Sequence, residues 1–400
     1  MEVREGYKKT EVGVIPGDWE VKPLEYLCKP SGLVRGPFGG ALKKEYFVKS
    51  GYKVYEQRNA IYKNPNIGNY YINKDKFDEL ARFAVKQGDF IISCSGTIGK
   101  IFQIPKNYKQ GVINQALLKL TIDSSKAVDK FFEVYFSWDR FQDKIIDSTQ
   151  GGAMKNLVGM DVFKKTLVAI PPIPEQQAIA AALSDVDDLI SSLTKLINKK
   201  KSIMQGAMQE LLTGKKRLDG FSGDWDEIKL GMISKINTGK KNNDDKVSDG
   251  IYPFFVRSKQ IERIDTYSFD GEAIIIPGEG NIGEIFHYIN GKFDYHQRVY
   301  KISNFPTNIY AKYVFYYIAA FFGEYALKNT VKATVDSLRL PTFEEFIINV
   351  PKTIQEQTAI ASNLSDMDAE IEALEQKLNK YKAIKQGMMH ELLTGRIRLV

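Results

Sequence analysis

The chain has 400 residues and is poor in the residues that build covalent staples and metal sites, with 2 cysteines and 3 histidines. Cys28 and Cys94 make no disulfide framework, so a reducing, cytoplasmic location is the expectation. His287, His296 and His390 stand beside no cysteine pair and no HExxH, so no metal site is expected. The opening segment MEVREGYKKT is charged and lacks the apolar core of a signal peptide. The longest apolar run, residues 313–322, is too short to span a bilayer and reads as a buried helix.

Motifs for covalent chemistry are missing too. There is no NPPY, NPPF or DPPY of an amino-methyltransferase; Asn64-Pro65-Asn66 only approximates one and reads as a turn. Residues 95–100, SGTIGK, end in Gly-Lys but lack the earlier glycine and the following Ser or Thr of a phosphate loop, and read as a turn between strands. No GxSxG is present, and the adjacent pair Asp244-Asp245 defines no nuclease centre. No catalytic residue is therefore assigned.

What the chain does have is an internal repeat. Residues 175–218 and 356–399 align without a gap at a shift of 181, with 25 of 44 positions identical. Gly17-Asp18-Trp19, with Leu24, matches Gly223-Asp224-Trp225, with Leu230, at a shift of 206. Residues 96–99 match 280–283 at 184, and Asn114-Gln115 falls opposite His296-Gln297 at 182. The chain is two copies of one unit: a GDW entry, a divergent α+β domain, and a shared helix ending in LLTG. The second copy is shorter by about 22 residues in its first half (206 − 184).

The shared segment carries an a/d heptad stripe, the pattern of a coiled coil. In the first copy it is Leu183, Val186, Ile190, Leu193, Ile197, Met204 and Leu211; in the second, Leu364, Met367, Ile371, Leu374, Leu378, Met388 and Leu392. Lys200 and Lys385 interrupt it at different layers. Gly214 and Gly395 suit the stops after the helices. Gly206 and Gly387 repeat mid-helix, which points to a close helix approach, a docked partner, or simple inheritance. A helix over residues 175–212 is roughly 57 Å long at ~1.5 Å per residue, longer than the roughly 34 Å of one DNA turn. Two such helices packed antiparallel would hold the two domains in inverted orientation.

The net charge of +7 is uneven. Residues 1–170 hold 27 basic and 19 acidic residues, whereas residues 219–350 hold 15 and 18. A basic first half is compatible with a nucleic-acid partner. Both divergent domains carry loops with side chains suited to base edges or phosphates. In the first they are Gln57, Arg58, Asn59, Lys100, Asn114, Gln115, Thr149, Gln150, Lys155 and Asn156; in the second, Lys240, Lys241, Asn242, Arg257, Lys259, Gln297, Arg298, Lys328 and Lys332. A solvated loop is the plain alternative for any one of them; their recurrence at matched positions favours binding.

Two divergent domains, each followed by PEQ or QEQ, a long heptad helix and ELLTG, resemble the specificity subunit of type I restriction-modification enzymes. The junction 170–176, IPPIPEQ, is very similar to the family's, and the GDW entries match; the second junction, 351–357, is a weaker match. The resemblance implies two tandem target recognition domains, 1–169 and 217–349, related by a pseudo-two-fold repeat. Two spacer helices, within 170–216 and 350–400, would join them as antiparallel coiled coils. It further implies that each domain reads one half of a split DNA target, that two methyltransferase subunits and restriction/motor subunits dock, and that S-adenosylmethionine, ATP and Mg belong to those partners. A coiled-coil adaptor without DNA specificity and a self-contained enzyme remain the alternatives.

Overall fold

A computed structural model describes residues 4–147, 156–329 and 337–399. The chain divides into two compact units, Met1–Ser191 with Asn379–Val400, and Ser192–Leu378. Each unit thus contains one divergent domain, the near part of its own long helix and part of the other, so the division falls within the helices rather than at their ends.

In the first unit, strands Cys28–Arg35, Leu117–Ile122, Phe90–Ser93 and Ile101–Gln103 form an antiparallel sheet in that order. All four residues of Phe90–Ser93 are buried. Its period of two sends Phe90 and Ile92 to one cluster and Ile91 to another, so both faces of the sheet are covered. Helices Asp129–Ser137 and Asp139–Ile145 contribute Phe132, Phe136 and Phe141 to the larger cluster. A three-stranded sheet follows: Tyr71–Ile72, Tyr52–Tyr55 and Gly111–Ile113, the last two parallel.

The second unit repeats this order in one six-stranded sheet: Lys235–Thr238, Val299–Ser303, Phe269–Pro277, His287–Tyr295, Tyr252–Phe255 and Glu262–Ile264. The parallel pairing Phe254↔Asp294 stands where Val54↔Val112 stands in the first. The long strand His287–Tyr295 corresponds to two short ones in the first unit, with Pro105 between them. Proline has no N–H to offer a ladder, which disfavours a continuous strand there. The sequence pattern suggests one helix over 128–146 in the first domain, but the backbone is extended at Trp138 (φ −71°, ψ 128°) and breaks it in two. The Trp138 ring packs edge-on to Tyr135 and His390, a tertiary contact that overrides local helix preference. The apolar run 313–322 lies in the helix Ala311–Lys328, and no helix among the described residues is long and apolar enough to cross a membrane.

Each domain closes on its own ends. The GDW strand pairs antiparallel with the strand leading into the long helix: Glu20–Pro23 with Leu167–Ile170, and Trp225–Lys229 with Ile347–Pro351. The long helices run Ile173–Leu211 and Ile354–Leu393, and the glycines past their ends have φ +71° at Gly214 and +69° at Gly395, where a Cβ is disfavoured. Within each unit the start of one helix lies antiparallel to the end of the other. In the first, Ile179 and Leu183 share a core with Leu392 and Leu393, and Lys385 Nζ meets Asp187 at 2.6 Å. In the second, Leu211 and Leu212 share a core with Ile360 and Leu364, and Lys200 meets Glu370 at 2.7 Å. The two lysines that interrupt the stripe therefore make ion pairs across the helices. No stripe residue is exposed: Leu183, Leu193, Ile197, Leu211, Leu364, Ile371 and Leu392 are buried, and Val186, Ile190, Met204, Met367, Leu374, Leu378 and Met388 are half-buried. A Cβ added at Gly206 or Gly387 would meet nothing within 4 Å, so neither glycine serves a close helix approach within the chain.

The PEQ and QEQ junctions have a shared structural job. Glu175, Gln176, Glu356 and Gln357 are all buried. Gln176 accepts from Val128 N (2.9 Å) and donates to Lys126 O and Pro171 O; Gln357 accepts from Tyr310 N (2.8 Å) and donates to Asn308 O and Pro351 O. Each glutamine so ties the first turn of a domain helix to the start of a long helix. Each glutamate is gripped by an arginine beyond the end of the other long helix. Arg398 donates from Nε and Nη2 to Glu175, and Arg217 donates from Nε and Nη2 to Glu356. Arg398 also forks onto Asp18 and holds that carboxyl below its ordinary range. Trp19 Nε1 donates to Glu175 at 2.8 Å, whereas buried Trp225 Nε1 has no hydrogen-bond partner among the described residues and its ring lies beneath the Arg217 guanidinium at 5.4 Å.

Leu193, 6% exposed, tests the helix seam. Leu193→Asp, which buries an unpaired carboxylate, is expected to cost about 3 kcal/mol or more, and Leu193→Met less than about 1.5 kcal/mol. Urea denaturation measures both; equal stability of the two variants would place Leu193 outside the packed seam.

Candidate nucleic-acid interface

The matched strand order brings the same four segments to one rim of each domain. In the first unit they are the end of Cys28–Arg35, the end of Tyr52–Tyr55 with Gln57, the turn 95–100, and Asn114-Gln115. Backbone hydrogen bonds knit them: Gly36 N to Leu117 O, Asn114 N to Tyr55 O, and Cys94 N to Ala116 O. A Cβ at Gly36 would sit on Asn114 O, so glycine is what lets the two segments approach. In the second unit Gly239 crowds Tyr295 O in the same way. There His296 N donates to Phe255 O, Gln297 N to Lys241 O and Gly278 N to Arg298 O.

The second rim is a hydrogen-bonded cluster. Glu279 receives Arg257 at 3.3 Å and Arg298 at 3.0 Å, holding two half-exposed guanidinium groups side by side. Gln297 donates to Asn242 Oδ1, and Asn242 caps the turn Asn243–Asp245. His296 is buried; desolvation, then Arg257 and Arg298, hold its imidazole below the ordinary value, and its Nδ1 accepts from Arg298 N at 2.9 Å. Arg257, Asn242, Gln297 and Arg298 are thereby brought together with Lys241, which is half-buried. Lys240 and Lys259 are exposed on flanking loops, and Lys328 is exposed in the last turn of Ala311–Lys328. Glu279 organises this cluster although nothing in its local pattern marks it; His296, which the repeat sets opposite Asn114, is buried within the cluster.

The first rim is less tightly tied. Arg58, Lys100 and Gln115 are exposed. Gln57 is half-buried, its Oε1 without a partner among the described residues, and Asn114 spends its Oδ1 on Ala116 N at 3.0 Å. Asn59 is a correction: it is fully buried, accepts from Glu56 N, and donates to Asn64 O and Ile67 O, so it builds the loop and is unavailable to a ligand. Thr149, Gln150, Lys155 and Lys332 lie outside the described residues, as does the side chain of Asn156.

Lysines also recur inside the sheets, and sequence reading passed over them. Lys119 opposite Ile91 and Lys301 opposite Ile275 share one register position and are buried. Lys119 donates to Ala84 O, while Lys301 sits 3.5 Å above the Phe269 ring. Desolvation, then Lys235, pulls the Lys301 ammonium down to about 8. The 182-residue shift, which pairs them, was the available signal.

Residues 16–202 and 222–383 match the family described as type I restriction modification DNA specificity domain. The chain belongs to that family. A specificity-domain protein of Methanocaldococcus jannaschii, the putative type I restriction enzyme MjaX specificity subunit, is 24% identical over 430 aligned residues, covering 99% of this chain and 97% of that one. The Escherichia coli type I restriction enzyme EcoDI specificity subunit is 28% identical over 171 residues, 43% of this chain and 37% of its own length. The type I restriction-modification S subunit from M. genitalium has the same fold, with TM-score 0.61 at 16% identity and 98% of each chain covered.

Asn59→Ala separates loop building from ligand reading. Losing three hydrogen bonds in a buried site is expected to cost about 1–3 kcal/mol per group left unpaired, read by chemical denaturation. Unchanged stability together with altered DNA selectivity would restore Asn59 as a reader.

Proposed function

We propose that this type I specificity subunit recognises a bipartite DNA target, one half-site per divergent domain, and performs no covalent chemistry itself. The observation that carries the reading is the pair of rims, built from the same four segments on the same strand order but filled with different side chains. A shared frame with divergent contents is what two readers of unlike half-sites require. On the second rim, Arg257 and Arg298 suit guanine edges or phosphates, and Asn242 and Gln297 suit adenine edges. On the first, Gln115 has the adenine-type chemistry, with Arg58 and Lys100 as phosphate contacts. The two repeated helices suit two like partners, which we take to be methyltransferase subunits. Restriction/motor subunits join for cleavage, and S-adenosylmethionine, ATP and Mg reside in those partners in the cytoplasm. The spacing of half-sites then follows from helix length.

Single substitutions test this after reconstitution with the cognate methyltransferase and mapping of methylated sites. Gln115→Ala is expected to relax one position in one half-site and Gln297→Ala one position in the other. Each should cost about 1–3 kcal/mol of discrimination at that position. Both changes altering the same half-site would sink the two-reader assignment, and an absence of any sequence preference in the parent complex would favour a protein-only adaptor.

A further inference from the structure

The first unit contains a cavity with one wall that has no counterpart in the second. One wall is the hairpin Tyr7–Thr10 with Gly13–Pro16, which precedes the first GDW entry. Residues 214–222, which precede the second GDW entry, form no strand. A cavity that depends on an element present in only one copy serves no reading task common to both domains. Its walls are fixed: Tyr7 Oη donates to Gly395 O at 2.8 Å, and Pro16 packs so closely on Gly395 that a Cβ there would overlap it.

The volume is about 560 Å³, within the usual range for small-molecule sites. Among the described residues four cations line it, Arg4, Arg140, Lys144 and Arg396, and no Asp or Glu does. Arg396 meets Glu391 at 3.5 Å; Arg4, Arg140 and Lys144 make no ion pair among the described residues. Like charges gathered around a concavity raise its potential and favour a bound anion. Partial desolvation, then Arg140, holds the Lys144 ammonium below its ordinary range, as expected of a cation awaiting a counter-charge. The remaining chemistry is aromatic. Tyr7 and Trp138 line the same space, with the Arg4 guanidinium 5.4 Å from the Tyr7 ring centre and the Arg140 guanidinium 5.8 Å from that of Trp138. Cations beside aromatic rings match a ligand that carries phosphate on a flat ring.

We propose that this cavity binds a nucleotide, its base against Trp138 and Tyr7 and its phosphates among Arg4, Arg140, Lys144 and Arg396. The site is separate from the half-site rims and stands whether or not the two-reader assignment holds.

The test uses the full chain titrated with ADP, adenosine and pyrophosphate, followed by calorimetry and tryptophan fluorescence. Saturable ADP binding is expected, at least ten-fold tighter than adenosine or pyrophosphate alone. Trp138→Ala should weaken ADP at least ten-fold and leave pyrophosphate unchanged. Arg140→Met with Lys144→Met should weaken both, and Trp138→Phe, which keeps a ring in place, should retain most of the ADP affinity. Thermal melts check that each variant is folded. No saturable ADP binding at low salt would overturn the proposal, as would equal binding of ADP and pyrophosphate. Displacement of ADP by a short DNA duplex would also overturn it, assigning these cations to a DNA path.

Discussion

A buried carboxylate gripped by an arginine from the other repeat holds each unit together. Glu175 lies at the start of the first long helix and Arg398 beyond the end of the second; Glu356 and Arg217 reverse the roles. A charge removed from water is costly unless paired and fully hydrogen-bonded, and the forked guanidinium satisfies both carboxylate oxygens. Neither unit therefore completes itself from one repeat alone: the end of one long helix supplies the cation that the start of the other requires. The flanking glutamines add the same three hydrogen bonds in both units and fix the first turn of a domain helix.

With the frame fixed in this way, the domains are free to diverge. Strand order is kept, the glycines at 36 and 239 keep the rim segments close, and the exposed side chains differ. The clamps have diverged somewhat as well. Trp19 donates to Glu175, but the Trp225 indole N–H finds no partner among the described residues and its ring lies instead under Arg217. The second clamp thus lacks the indole hydrogen bond of the first and its fork onto Asp18, Arg217 Nη1 donating instead to Gly223 O. The hairpin at residues 7–16 and the cavity behind it are a further asymmetry, laid on the conserved frame.

Much of the frame was legible in the sequence, because duplication exposes it. The gapless repeat gave both long helices, the heptad stripe gave the buried face, and the GDW and LLTG segments gave the ends. The clamp was only half legible. Glu175, Glu356, Arg217 and Arg398 are identical between copies, yet each pair is separated by 139 or 223 residues, and nothing local says who meets whom. Local pattern failed where tertiary contacts won: at Trp138, whose packing breaks a helix, and at Asn59, whose polar side chain turned out to be buried. Of the candidate readers, Arg257 and Arg298 meet on Glu279, with Gln297 next to Arg298 in sequence, and Glu279 itself carried no sequence signal.

Each arginine–glutamate pair couples the two repeats directly. A double-mutant cycle on both pairs, Arg398→Met with Glu175→Gln and Arg217→Met with Glu356→Gln, tests this by denaturant unfolding. The expected result is a coupling of at least about 1 kcal/mol in each cycle, larger at the first pair, where Asp18 and Trp19 complete the network. Additive effects in both cycles, with no coupling, would contradict the account.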